Sequence, residues 1–185
     1  MPILGTVASQ FAGKPFNSFE SIASFTVGSG GQDVVEFTLI PQTFKHLQLR
    51  FVLKNNDTGS FNNVPMRFNG ATSGYFEHYL TSDTAINATG GANLGAFNTG
   101  FWAASTSLNA NVFTTGVVEI LDYSSTSKTK VIRSHGGGNN NTTGILWLHS
   151  GLFNSQDAIS SIQIDTGGQI VSEHSQFALY GIKGA

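Results

Sequence analysis

Five histidines are the side chains of this sequence best suited to acid–base or metal chemistry. They are His46, His78, His135, His149 and His174. No two of them are separated by two or four residues, the spacings that place ligands on one face of a strand or helix, so no local metal-binding motif is present. We therefore interpret them as single surface or partly buried side chains, and we expect no metal site.

The acidic residues are interpreted as turn residues rather than as catalytic acids. Asp33, Glu36, Asp57, Asp122 and Asp165 mostly stand at predicted strand ends or in turns, where such side chains bond the backbone. A pair of carboxylates flanking a glycosidic bond is the open alternative, because only their separation in space decides it.

A histidine followed by three glycines, from His135 to Gly138, resembles the oxyanion-hole motif of lipases. The companion Gly-x-Ser-x-Gly elbow is absent from the sequence, and no parallel βαβ pattern is available to hold it. We therefore predict a flexible Gly/Asn loop over residues 135–144. With no catalytic constellation above chance, we expect no enzymatic activity, no catalytic residue and no cofactor.

Three aromatic residues near predicted variable turns, Phe97, Phe101 and Trp102, allow two interpretations. The favoured one makes them core anchors, because Phe and Trp contribute most to core energetics. In the alternative, they and Asn139 contact a glycan in a lectin-like site formed by the loops over residues 81–111 and 135–144.

The first eighteen residues predict an extended N-terminal arm. Apolar residues stand there without sustained periodicity and with few charges, the main ones being Ile3, Leu4, Phe11 and Phe16. We predict that these four contact a partner subunit, because each apolar side chain contributes roughly 1.5–3 kcal/mol when buried. A frayed, solvent-exposed terminus is the alternative.

Short alternating segments dominate the rest of the chain, and no helical periodicity persists for three turns. The clearest predicted strand covers residues 46–54, where Leu47, Leu49, Phe51 and Leu53 share one face. Further strands are predicted at 19–26, 33–40, 64–68, 75–80, 94–102, 112–123, 128–133, 145–152, 159–165 and 175–182. Asn69-Gly70 predicts a hairpin between two of them. We predict an all-β protein, with residues 19–185 forming one antiparallel β-sandwich of jelly-roll type.

Composition narrows the function classes. The 185 residues contain no cysteine, carry a formal charge of -2 and are only 11% charged, against about 25% in typical domains. Disulfides and thiolate metal sites are thereby excluded, and a nucleic-acid footprint is missing. No apolar run reaches the roughly 18 residues of a membrane helix, and the N-terminus lacks the basic and apolar regions of a secretory signal, so we expect neither.

Seven stretches of the sequence carry a resemblance to known proteins, and they are residues 1–5, 19–23, 40–50, 67–70, 116–123, 150–152 and 176–184. In these stretches the chain resembles a group of tailed-phage virion structural proteins that is frequent in phages of cyanobacteria and marine bacteria. The likeness is weakest over residues 81–111.

The resemblance implies a non-enzymatic part of a phage particle and provides no catalytic residues. We expect a capsid decoration, or cement, protein on the outer surface of the head, which binds the major capsid protein or other virion proteins and stabilises the shell. A homotrimer is expected, because a jelly roll with an arm suits closed cyclic assemblies. The alternative is a tail-fibre or tailspike component that binds a host surface glycan. Neither nucleic acid nor membrane is an expected partner.

Overall fold

The computed structural model describes residues 18–83, 85–98, 101–140 and 142–184. Within them the chain forms thirteen strands and no helix that is long and apolar enough to cross a membrane. The strands are β1 (Phe19–Thr26), β2 (Val34–Phe37), β3 (His46–Leu53), β4 (Phe61–Asn63), β5 (Met66–Phe68), β6 (Tyr75–Ser82), β7 (Ile86–Leu94), β8 (Trp102–Ala104), β9 (Thr114–Leu121), β10 (Lys130–Asn139), β11 (Gly144–Phe153), β12 (Ile162–Asp165) and β13 (Gln176–Ile182).

The strands form two layers. Eight of them make one antiparallel sheet in the order β1-β13-β3-β9-β10-β11-β6-β7, and the second layer contains the sheets β2-β12-β5 and β4-β8. The chain passes repeatedly from one layer to the other, for example from β3 to β4 and β5, and then back to β6. The predicted all-β antiparallel β-sandwich of jelly-roll type is confirmed.

The alternation of β3 shows why the sequence folds into layers. Leu47, Leu49, Phe51 and Leu53 are buried on its inner face, as predicted, whereas Arg50 is exposed on the outer face. The same two-residue period in β9, β10, β11 and β13 points buried side chains at the second layer. Burying one face of every strand in this way makes a single continuous apolar core between the layers.

The glycine run of β10 is part of the sheet, so the prediction of a loop over residues 135–144 is wrong. Residues up to Asn139 pair with β11, and the turn itself is confined to residues 140–143. The physical reason is space on the inner face. A Cβ at Gly136 would lie 2.3 Å from a ring carbon of Trp147, and one at Gly138 would lie 2.8 Å from Thr114. Glycine therefore lets neighbouring side chains lie directly on the backbone.

Asn69 and Gly70 form a turn, but the predicted hairpin is wrong because the two flanking strands belong to different layers. β5 pairs with β12, whereas β6 pairs with β11 and β7. Both turn residues have positive φ, 52° and 68°. The Asn69 side-chain oxygen accepts hydrogen bonds from the backbone N–H groups of Ser160 (2.8 Å) and Ser161 (3.1 Å), which ties the turn to the segment before β12.

The described residues in the range 94–102, which are 94–98, 101 and 102, do not form the predicted continuous strand. β7 ends at Leu94 and β8 begins at Trp102, and between them Phe97 enters the core with no exposed surface. Its backbone makes an isolated bridge to Met66 in β5. The predicted N-terminal arm lies outside the described residues except for Ser18, so the division at residue 18 stays a prediction.

Candidate functional site

A histidine–carboxylate pair lies inside the sandwich. The Nε2 atom of His149 is 3.3 Å from Oε2 of Glu77, which also accepts a hydrogen bond from the backbone N–H of Asn98 (3.1 Å). Ser134 is the cross-strand neighbour of His149. All three ionisable or hydroxyl side chains are buried, and the Phe97 ring meets the imidazole edge to face. This grouping resembles a hydrolase triad in residue types, but the core encloses it, so we assign it a structural role.

The outer face of the eight-stranded sheet exposes large apolar side chains instead of the polar ones expected of a solvated face. Leu80 is 46% exposed, Ile86 81%, Leu146 64% and Leu148 57%. Leu148 is the cross-strand neighbour of Leu80, while Leu146 and Ile86 flank Ser82 on either side. These four residues therefore form one contiguous surface across β11, β6 and β7, which we call the apolar patch.

Two grooves run along the apolar patch. One of about 680 Å³ is lined by residues that include Leu80, Leu148 and Arg133, and one of about 390 Å³ includes Ile86 and Leu146. A grooved apolar surface of this kind marks an interaction site more often than an isolated exposed leucine does.

Basic side chains border the patch. His135 is the cross-strand neighbour of Leu148, and in the next row Arg133, Ser150 and His78 lie side by side across β10, β11 and β6. Glu119 follows Arg133 on β9. Side chains of this border can therefore donate hydrogen bonds to acidic groups of a molecule that binds the apolar patch.

A separate concavity, which we call the end pocket, lies where strands β4 and β8 meet the β6–β7 and β10–β11 turns. Its volume is about 320 Å³. Its lining includes Phe61, Asp83, Trp102, Thr142 and Thr143.

One asparagine makes several hydrogen bonds on the β10–β11 side of the end pocket. Oδ1 of Asn140 accepts hydrogen bonds from the backbone N–H groups of Thr142 (3.1 Å) and Thr143 (2.7 Å), and from both of their hydroxyls. On the opposite side, the Asp83 carboxylate accepts a hydrogen bond from the backbone of Ala85 (3.3 Å). These bonds orient the polar groups of Asp83, Thr142 and Thr143 in the structure.

The four side chains predicted to contact a glycan lie in two different environments, the core and the surface. Phe97 and Phe101 have no exposed surface and lie in the core, in agreement with the favoured interpretation. Trp102 is half-buried and lines the end pocket, and Asn139 lies beside the adjoining concavity near Asp83. Ile3, Leu4, Phe11 and Phe16 lie outside the described residues, so their predicted partner contacts stay a prediction.

The apolar patch was missed by the sequence analysis, although a signal existed. Residues 145–148 are apolar at four successive positions, so both faces of β11 carry large apolar side chains. A strand that is apolar on both faces is typical of a sheet covered on both sides. In this structure the second layer covers only the inner face.

Asp122 is the centre of a charged cluster at the end of β9. Its carboxylate lies 2.8 Å from the Lys128 ammonium and 3.1 Å from that of Lys45. The hydrogen bonds from Lys128 and Lys45 lower the pKa of Asp122 from 3.8 to about 2. The two lysines are more than half exposed, whereas Asp122 is partly buried. Within the described residues no three His, Asp or Glu side chains are grouped so as to hold a metal ion.

Comparisons with known proteins leave the family open. No protein-family model matches the chain, and no curated protein sequence does. Among solved structures, the chain is similar to the galectin LEC-6 of Caenorhabditis elegans, at 12% sequence identity and a TM-score of 0.36, over 90% of this chain and 99% of that one. A likeness at this TM-score supports no statement about binding or activity.

Proposed function

We propose that this protein is a structural component of a phage particle, a capsid decoration protein that attaches to the outside of the head through the outer face of its eight-stranded sheet. The observation that carries the proposal is the apolar patch, formed by Leu80, Ile86, Leu146 and Leu148. The phage resemblance described for the sequence supplies the biological setting.

The apolar patch is suited to protein docking for an energetic reason. Full burial of such a side chain contributes roughly 1.5–3 kcal/mol, and a partner that covers the patch gains the share that belongs to the exposed part of each side chain. The two grooves beside these residues can receive side chains from the partner. Attachment of this kind stabilises the assembled shell, because the decoration protein binds the folded, assembled state and not the unfolded one. Its binding free energy is therefore added to the stability of the shell.

The chemistry of the border defines the partner surface further. His78, Arg133 and His135 are exposed around the patch, so the surface of the capsid protein that we propose as the partner carries apolar side chains bordered by hydrogen-bond acceptors. Charged groups at a rim fix orientation more than they add affinity, whereas the apolar centre supplies most of the binding free energy.

A coating assay tests this proposal. Purified protein is added to phage heads that lack it, and bound protein is measured after sedimentation. The double variant Leu146→Asp, Leu148→Asp is expected to lower the affinity for heads more than tenfold, because two carboxylates would be buried at the interface. Leu39→Asp is the matched control, since Leu39 is 91% exposed, follows β2 in the second layer and has a φ of 52° that Asp tolerates.

Equal coating by the double variant and the parent protein would overturn the proposed surface. Absence of the protein from intact particles would overturn the proposed function as a whole. A position in the tail at low copy number would favour the tail-fibre alternative instead. Light scattering of the purified protein and a reconstruction of coated heads test the expected homotrimer.

A further inference from the structure

We infer that Arg133 is the anchor of an anion site in the larger of the two grooves, and that this site takes the carboxylate of an acidic side chain on the protein that docks on the apolar patch. The inference rests on the proposed function, because it names a chemical group that the partner brings to that surface. It follows from the position of Arg133, from its surroundings and from the cost of covering a charge.

Arg133 lies in a row of polar residues that crosses the outer face of the sheet. Ser150 on β11 is its direct cross-strand neighbour, and His78 on β6 is the neighbour of Ser150. Directly paired residues of antiparallel strands lie about 5 Å apart and point to the same face of the sheet. All three side chains are exposed and line the groove of about 680 Å³. We call these three residues the polar row.

Apolar side chains flank the polar row on both sides. Leu148 and Leu80, which belong to the apolar patch, are paired with each other two residues along the strands in one direction. Val131, Leu152 and Phe76 are paired two residues along in the other direction, and Val131 is 40% exposed. Residues two apart on a strand are separated by about 7 Å. The polar row therefore lies between two apolar surfaces.

A partner seated on Leu80 and Leu148 also covers the groove beside them and removes Arg133 from water. A guanidinium group stays protonated in proteins, so Arg133 cannot avoid the cost by losing its charge. A covered charge without a counter-ion is strongly unfavourable, whereas a well-placed carboxylate offsets the cost. Arginine can hold a carboxylate by two parallel hydrogen bonds, and the neighbouring Ser150 hydroxyl can donate a third. We therefore place the partner's carboxylate over Arg133 and Ser150.

The surrounding charge indicates which anion fits. Glu119, on β9, is the cross-strand neighbour of Arg133 on the side away from Ser150, and it is half-buried. Its carboxylate repels a second anion, and the repulsion grows with the charge of that anion. A phosphate group, with nearly two negative charges, is therefore less suitable than a carboxylate with one. The apolar rows on either side suit an aspartate or glutamate that stands between apolar residues.

The coating of phage heads provides the first test. Arg133→Met is expected to lower the affinity for heads about tenfold, because the partner's carboxylate would be covered without its counter-ion. Without a carboxylate on the partner, the same variant would bind equally well or more tightly, because it removes a charge that docking covers. Arg50→Met is the matched control, since Arg50 is an exposed arginine on the same face of β3, two strands away from β10. It should leave coating unchanged.

Glu119→Gln separates the partner's carboxylate from a carboxylate of the chain itself. The variant removes the repulsion beside Arg133, so it is expected to raise the affinity for heads about twofold to fivefold. If Glu119 were the counter-ion of Arg133 in the complex, the variant would weaken coating instead. Circular dichroism checks that each variant keeps the fold.

A peptide probe tests the anion site without phage heads. The probe is an acetylated and amidated leucine–glutamate–leucine tripeptide, and its control has glutamine in place of glutamate. Nuclear magnetic resonance follows the Nε–H signals of Arg133 and Arg50. We expect the acidic peptide to shift the Arg133 signal saturably, with millimolar affinity, and the neutral peptide to bind at least about fivefold more weakly. The Arg50 signal should stay unchanged.

Three results would overturn the inference: full coating by Arg133→Met, weaker coating by Glu119→Gln, or equal binding of the two peptides. Failure here and failure of the proposed function are distinguishable. Loss of coating by the variant with Leu146→Asp and Leu148→Asp, but not by Arg133→Met, would retain the docking face and remove the anion site. Selective binding of the acidic peptide by a protein that is absent from phage particles would retain the anion site and remove the phage function.

Discussion

Lys130 shows how a single buried charge can hold two loops together. Its side chain is fully buried, and its ammonium donates to the backbone oxygens of Ser125 (2.7 Å), Lys128 (2.7 Å) and Gln156 (3.2 Å). Burial lowers the pKa of Lys130, although Asp157 and Asp122 act in the opposite direction. Three hydrogen bonds use all three protons of the ammonium, which compensates for much of the cost of burying it.

Replacement of Lys130 by methionine is therefore expected to destabilise the fold by about 3 kcal/mol, because three carbonyl oxygens lose their donor while the buried volume stays similar. Unfolding in urea gives the free energy. Lys183→Met is the control, since Lys183 makes an exposed ion pair with Glu20 and its loss should cost less than about 1 kcal/mol. Equal losses in the two variants would contradict the structural role given to Lys130.

Asp122 predicts a pH dependence with a defined sign. Its folded pKa of about 2 lies below the value of 3.8 expected in the unfolded chain, so its ion pairs stabilise the fold above pH 4. As the pH falls from about 4 to about 2, the unfolded chain takes up the proton first and this contribution is lost. The Asp122→Asn variant lacks the stabilisation by these ion pairs. Asparagine also tolerates the φ of 49° at this position.

The measurement is the free energy of unfolding of the parent protein and of Asp122→Asn between pH 7 and pH 2. The gap between them should be below about 1 kcal/mol at pH 7, because the lysines are more than half exposed. It should shrink toward zero near pH 2. The hydrogen bond to Nδ1 of His46 comes from the backbone N–H of residue 122 and is therefore available in both proteins. A gap that widens on acidification would refute the assignment.

At the scale of the strand, β10 depends on glycine for its contact with the core. A Cβ at Gly136 would lie 2.3 Å from both the Thr115 carbonyl oxygen and a ring carbon of Trp147. Gly136→Ala is therefore expected to destabilise the protein by about 3 kcal/mol through overpacking against backbone and indole. Gly28→Ala, where no atom lies within 4 Å of the new Cβ, should change stability by less than about 0.5 kcal/mol in thermal and urea unfolding.

Strands β3 and β10 and the turn at Asn69-Gly70 show what local sequence can and cannot predict. β3 was predicted almost to its ends, because an apolar residue at every second position is a local property of the chain. The glycines of β10 led to a loop prediction, because glycine is typical of turns. Glycine here also leaves space for the Trp147 ring, and that role could not be predicted because Trp147 lies on a strand that comes later in the sequence. Asn69-Gly70 predicted the turn correctly, but its two strands find partners in different layers, a choice made by long-range packing.

The candidate site was less predictable than the fold. Trp102 was identified as a possible glycan contact from its position near variable turns, and it does line the end pocket, whereas Phe97 and Phe101 from the same stretch are core residues. Sequence could not separate them, because aromatic residues on a short strand and in the loop before it have the same local pattern. The apolar patch arises only when β6, β7 and β11 lie side by side.

For the whole molecule, the proposed docking face and the end pocket use different parts of one sandwich. The patch lies on the outer face of the sheet, and the pocket lies at an end where β4 and β8 meet the β6–β7 and β10–β11 turns. A protein attached to a head by its sheet face keeps this end accessible only where the partner does not extend past Ile86. A partner that covers the centre of the patch therefore leaves the end pocket uncovered.

Salt provides the test that belongs to the whole molecule. The chain carries 9 basic and 11 acidic residues and a net charge of -2, so long-range attraction contributes little to attachment. Binding through the apolar patch should change less than about threefold when sodium chloride rises from about 0.05 to about 0.5 M, and sodium sulfate should strengthen it. Sedimentation of coated heads across this range measures the affinity. A loss of affinity of more than tenfold in sodium chloride would place the binding free energy in the basic border around Arg133, and the apolar patch would then have only a secondary role.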